Sequence, residues 1–471
     1  MKVNRLFIIL FILTSCGSQQ VFNPIKVLQE TGRSPRVQLK AMNQLQAEGG
    51  LSSESFQKLL MPLLWKPGYT NEVRMAALER LWSVDRQGVI RTLRQQLPRL
   101  NNWTWLVEVC DWIGSNNITE LREGLISSWA SPTMMVQTEQ ERPEYLALVE
   151  MVGNEEVVNL VFNTLVHSSQ SWKQSYRSRC LELLHRVGER DRIVALLENA
   201  EIAEDDAYLQ DLRKSFVELG IAPYTREEVI WIRKLASPEY ATFWNEAREA
   251  LENLDDERRH SLELRDVPVA VSVNRHAPEY MTMGLNEILI TIAGQLKGAR
   301  HYYETEGGGT FNERSEQFRT HRNRLTWGDG MAIQMMTKAL QVPQVRKHLL
   351  EYGVRDVNDK TTEYGGIIAL DKKGRFEILE FEPKVRHHDR RFNASQQMFD
   401  AGYTALFHFH YHAQKYRNGD HAGPGLGDKN YADSTRANCV VLTFVNEDEV
   451  NVDYYRHGGV VVDLGTFNLR Q

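Results

Sequence analysis

Cysteine is scarce in this chain, four in 471 residues, and no two stand as C-x-x-C. That excludes a disulfide-stapled scaffold and the common thiolate zinc motifs. Beyond Cys16 in the N-terminal segment, Cys110, Cys180 and Cys439 remain, an odd number that allows at most one disulfide. The first two fall in helical patterns and the third in an apolar strand run, so all three are expected as small buried hydrophobes. Long apolar runs are missing too. None reaches the roughly 18 to 20 residues that a membrane-spanning helix needs. Nor is there an excess of positive charge: the net charge is −6, which offers no overall attraction to a polyanion, and no nucleic-acid partner is expected. The local basic clusters at 314–324 and 384–391 read as solvated faces. Gly307, Gly308 and Gly309 lack the lysine and spacing of a phosphate-binding loop and read as a mobile loop.

The length suffices for two or three domains. Residues 36–258 predict helices without strands, because apolar residues recur at steps of three and four, as in Met75, Leu78, Leu81 and Trp82. Helix–turn–helix units repeat, with turn markers at Asp85, Gly114, Gly153, Gly188 and Gly220. A glycine at such a point suits a left-handed helix end. The array resembles HEAT-type α-solenoid repeats, with an irregular period. That resemblance implies a concave surface for a protein or peptide partner; the plainer reading is a compact helical support. Trp65, Trp82, Trp103, Trp105, Trp112, Trp129 and Trp172 crowd this half and are expected in the core. Residues 259–358 form a connecting region, with helices over 279–300 and 328–351. Within it, 267–273 alternates β-branched residues and reads as a strand, an edge strand given Pro268. From 359 to 471 the pattern becomes α/β. Strands are predicted over 364–370 and 376–381 around the turn Asp371-Lys372-Lys373-Gly374, then at 405–412, 440–445, 450–455 and 459–464. Helices are predicted over 393–400 and 428–436.

Residues 407–428, FHFHYHAQKYRNGDHAGPGLGD, carry the chemistry. Aromatic residues alternate with histidines. On a strand, His408, His410 and His412 therefore share one face, and Phe409 and Tyr411 share the other. Alternate positions are about 6.5–7 Å apart, close enough for two imidazoles to converge on one ion. A Gly-rich loop then delivers Asp428 to the start of a helix, as a third ligand or as a helix N-cap. Two imidazoles and a carboxylate leave a tetrahedral ion one open position, the pattern of a catalytic zinc. His387, His388 and His421 read as surface residues.

These residues carry a resemblance to the JAMM (MPN-type) metallopeptidases. That family has a glutamate at a strand start, a hairpin, a helix, a strand ending in H-x-H-P, and a loop with S-x-x-D that opens a helix. Here Glu363 stands in TTEYGGIIAL, His410-Tyr411-His412 matches H-x-H, and Asp428 matches the aspartate. The resemblance covers residues 359–471. It implies a mixed-sheet domain of the cytidine-deaminase-like kind, with zinc held by His410, His412 and Asp428 and the reacting water held by Glu363. Departures exist: Ala413 replaces the proline and Gly425 the serine, and the loop is longer. His408 with His410 is an alternative ligand pair. A zinc-dependent hydrolase of amide or isopeptide bonds is the leading expectation. The contrasting one is a scaffold that binds a partner and does no chemistry.

At the N-terminus, Lys2 and Arg5 precede a short apolar stretch, residues 6–13, and then Leu13-Thr14-Ser15-Cys16. This is similar to a bacterial lipoprotein signal. The similarity implies cleavage after residue 15, lipidation of Cys16, a tether over 16–35, and an envelope location, the outer membrane facing the periplasm.

Overall fold

The computed structural model describes residues 20–48, 53–131, 135–136, 138–167, 174–198, 202–302, 316–381 and 392–470. Cys16 and its signal, Gly307 to Gly309, Trp172, His387, His388 and the 384–391 cluster lie outside them. The chain divides into two compact units, 1–165 and 166–471. No helix among the described residues is long and apolar enough to cross a membrane.

The first unit is helical. Asn71–Val84 packs on Arg86–Gln96, and Trp103–Ser115 on Pro143–Val152. Asp85 closes one helix and caps the next, its carboxylate accepting from the Gly88 N–H at 2.9 Å. Trp105 and Trp129 are fully buried, while Trp82 and Trp112 meet edge to face at 5.2 Å. Gly153 has φ +84°, and in the second unit Gly188 and Gly220 have +87° and +75°, so three expected helix ends use glycine's left-handed freedom. Gly114 differs. It lies inside the Trp103–Ser115 helix, and Asn117 takes the positive φ instead. A Cβ on Gly114 would stand 3.1 Å from the Ala147 Cα, so the glycine there serves close helix packing. Cys110, and Cys180 and Cys439 in the second unit, are buried thiols outside any disulfide among the described residues.

The second unit sets helices against a six-stranded mixed sheet of order β2-β1-β3-β4-β5-β6. The strands are β1 (Gly365–Leu370), β2 (Phe376–Glu380), β3 (Phe407–His412), β4 (Cys439–Phe444), β5 (Glu449–Arg456) and β6 (Val460–Asn468). Among the described residues only the β3–β4 pair is parallel, and it is joined through the Leu426–Thr435 helix. The hairpin turn is where the sequence places it, with Gly374 at φ +76°. One sheet face carries Phe407, Phe409, Tyr411, Leu442, Val452 and Tyr454 into a single core shared with helices from Leu219 onward. The strands' period-two pattern therefore gives the aromatics of β3 to the core and its histidines to the opposite face.

Residues 267–273 are not a strand. They open the helix Val267–His276, buried all round. Pro268 sits in its first turn, where the missing N–H costs nothing. The period-two signal misled because a fully buried helix shows no polar face to set its period.

Buried charge ties this helical layer to the sheet. Asp329 accepts from Arg265 at 2.9 Å, from the Tyr454 hydroxyl at 2.8 Å and from Arg456 at 3.0 Å. It also accepts from the Thr326 N–H at 2.8 Å, capping its own helix. Removing one partner of such a set leaves buried guanidinium groups uncompensated. Asp329→Ala is therefore expected to cost about 3–5 kcal/mol in denaturant unfolding of the full chain. An unchanged transition would show that the network carries little stability.

Candidate metal centre

The antiparallel register of β1 and β3 sets Gly365 opposite His410 and Ile367 opposite His408. Two residues upstream on β1's lead-in, Glu363 continues the same face toward His412, and the Tyr411 N–H donates to the Tyr364 carbonyl at 3.0 Å. Gly365 leaves room above the sheet. A Cβ there would stand 2.7 Å from the Phe392 ring, which runs parallel to that of His410, centroids 6.0 Å apart and planes 8° apart.

The ring nitrogens converge. His410 Nε2 and His412 Nε2 are 3.3 Å apart. Asp428 Oδ1 lies 3.2 Å from the first, and Asp428 Oδ2 lies 3.5 Å from the second. One ligand atom from each of the three residues falls within 4.8 Å of the others, a group that could hold a metal ion. His412 Nδ1 contacts the His421 carbonyl at 2.5 Å, so Nδ1 carries a proton and Nε2 is the nitrogen turned to the cluster. The ring of His421 is exposed, as expected; its backbone serves the site. Asp428 is not the N-cap, which is Gly425. It is the third helical residue, and its carboxylate accepts from the Gly425 N–H at 2.7 Å while facing the imidazoles. The helix thus orients the ligand as the ligand closes the helix.

The electrostatics match a cation site. Burial opposes charge on His412, but the hydrogen bond and charge of Asp428, with Glu363 behind, overturn it and raise its imidazole to about 9. Burial likewise opposes charge on Asp428, and the two imidazoles outweigh it and hold the carboxyl well below the usual range. His408 is different. Burial alone pushes it down to about 4. Its Nδ1 meets the Tyr431 hydroxyl at 2.8 Å, and Gly402 backs its Nε2 so closely that a Cβ would stand 2.8 Å away. It shares the face of the other two but is not in the group that converges.

Glu363 is 6% exposed and lines the same cavity, about 1250 Å³, as the cluster. Gln414 donates to Glu363 Oε1 at 3.0 Å, and Asn418 donates in turn to Gln414. Sequence reading missed Phe392, Gln414, Asn418 and Tyr431. No spacing pattern marks them, because Phe392, Gln414 and Asn418 reach the site from loops and Tyr431 from the Leu426–Thr435 helix only once these have packed against the sheet. Family models, curated proteins and solved structures contain no match to this chain.

Proposed function

We propose that this protein is a zinc-dependent hydrolase of an amide or isopeptide bond, built on a JAMM-like domain. One observation carries the reading: two imidazoles, a carboxylate and a separate buried glutamate face a single cavity. The donor set suits zinc, being nitrogen- and oxygen-based with His412's second nitrogen already engaged. His410, His412 and Asp428 hold the ion. When bound, zinc supplies Lewis-acid polarisation of a carbonyl and acidifies water. Glu363 takes the proton of the attacking water and passes it to the leaving amine, and Gln414 holds its carboxylate in place. Phe392 lines the cavity beside the two buried imidazoles.

The second reading is a non-catalytic scaffold that binds a protein partner. The residue at the family's serine position favours it, since Gly425 offers no side chain to a tetrahedral intermediate. Metal analysis of the purified full chain, with hydrolysis of isopeptide-linked peptides, separates the two. Equimolar zinc and chelator-sensitive cleavage support the enzyme; a metal-free protein removes it.

In the same proposal the helical region is a HEAT-like arm for a protein or peptide, and Cys16 carries a lipid that anchors the chain in the bacterial envelope. The motif Leu13-Thr14-Ser15-Cys16 supports the anchor. Cys16→Ser is expected to move the protein from the membrane fraction to the soluble periplasm, read by fractionation and immunoblot. Retention in the membrane fraction would end the lipid-anchor reading.

A further inference from the structure

A second cavity of about 630 Å³ adjoins the candidate metal centre, and Phe399, His408, Ser434 and Thr435 line both. Its far wall comes from outside residues 359–471. Ile230 and Trp231 supply it from the Arg226–Leu235 helix, facing Tyr403. The wall is set before any ligand arrives. The Trp231 indole N–H donates to the Tyr403 carbonyl at 2.7 Å, and the two rings stand 6.4 Å apart. Trp231 is 7% exposed, so its ring is packed rather than free to swing.

His408 stands where the two cavities meet, one alternate position along β3 from His410. That step is about 6.5–7 Å. An extended peptide repeats its side chains on one side at the same interval. The first cavity alone, at about 1250 Å³, exceeds the roughly 300–1000 Å³ of ordinary small-molecule sites. Both cavities border β3, through His408, and the second adds apolar surface from Ile230, Trp231, Phe399 and Tyr403, with the exposed Arg226 and Glu227 at its rim.

We propose that the second cavity is a specificity subsite for a large apolar or aromatic side chain of an extended peptide, two residues from the bond held at His410, His412 and Asp428. The registration to a scissile bond rests on the hydrolase reading; the pocket itself does not.

The test uses the full chain and fluorescein-labelled Ser-Gly decapeptides carrying one Phe at successive positions. Binding is read by anisotropy, and cleavage sites in the zinc-loaded protein by mass spectrometry. Phe peptides are expected to bind about tenfold or more tighter than the all-Ser-Gly peptide, the discrimination of one filled apolar pocket. Any cleavage should fall two residues from the Phe. Ile230→Arg, at a half-buried wall position, should erase the gain and transfer it to peptides with Glu in place of Phe. Ser434→Trp, at an exposed residue common to both cavities, should block it independently. Phe preference without cleavage upholds the subsite and overturns only its registration to a scissile bond of a linear peptide. Cleavage without preference, no preference at all, or preference that survives both substitutions overturns the subsite.

Discussion

His410→Ala is expected to lose stoichiometric zinc, with affinity falling by more than the roughly 10–100-fold seen when an outer-shell partner is removed. The reason is geometric. His410 Nε2 sits 3.3 Å from His412 Nε2 and 3.2 Å from Asp428 Oδ1, so its loss takes one of three mutually adjacent donors. His408 cannot replace it, because its ring is tied to Tyr431 and backed by Gly402. His408→Ala should therefore keep zinc within a few-fold of wild type, against the alternative pairing of His408 with His410. Competition with a chromophoric chelator reads both variants. Full zinc retention in His410→Ala would show that the ion is held elsewhere.

Glu363→Gln should keep the metal and lose hydrolysis by about 10²–10⁴-fold, the usual contribution of a positioned general base. The substitution preserves size and can keep one hydrogen bond with Gln414, whose amide can turn to meet it. What disappears is the carboxylate that accepts a proton. Equal zinc content in the two proteins makes the comparison a test of chemistry rather than folding. Cleavage at wild-type rate by Glu363→Gln would assign the base to another residue, and equal inertness of both proteins would favour the scaffold.

The C-terminal sheet was largely legible beforehand because its signals are local. FHFHYH has the period of a strand, and burial of its aromatics on one face delivers the histidines to the other. The turn at 371–374 ends in a glycine that takes the left-handed conformation. The helix Val267–His276 was illegible for the opposite reason, since a segment surrounded by apolar neighbours has no solvent side to mark its period.

His410, His412 and Asp428 could be named from residue type, strand alternation and order, and Glu363 from the resemblance to the JAMM-type motif. Their approach to one another could not. It depends on the β1–β3 register and on the β3–β4 crossover that returns the Asp428 helix to the strand's C-terminal end. The choice among three equivalent-looking histidines was likewise settled by neighbours distant in the chain: the His421 carbonyl turns His412 toward the cluster, and Tyr431 turns His408 away. Side-chain alternation is a property of the backbone repeat and is written in adjacent residues. Ring orientation is decided by hydrogen-bond partners and free volume that exist only once separate segments have packed.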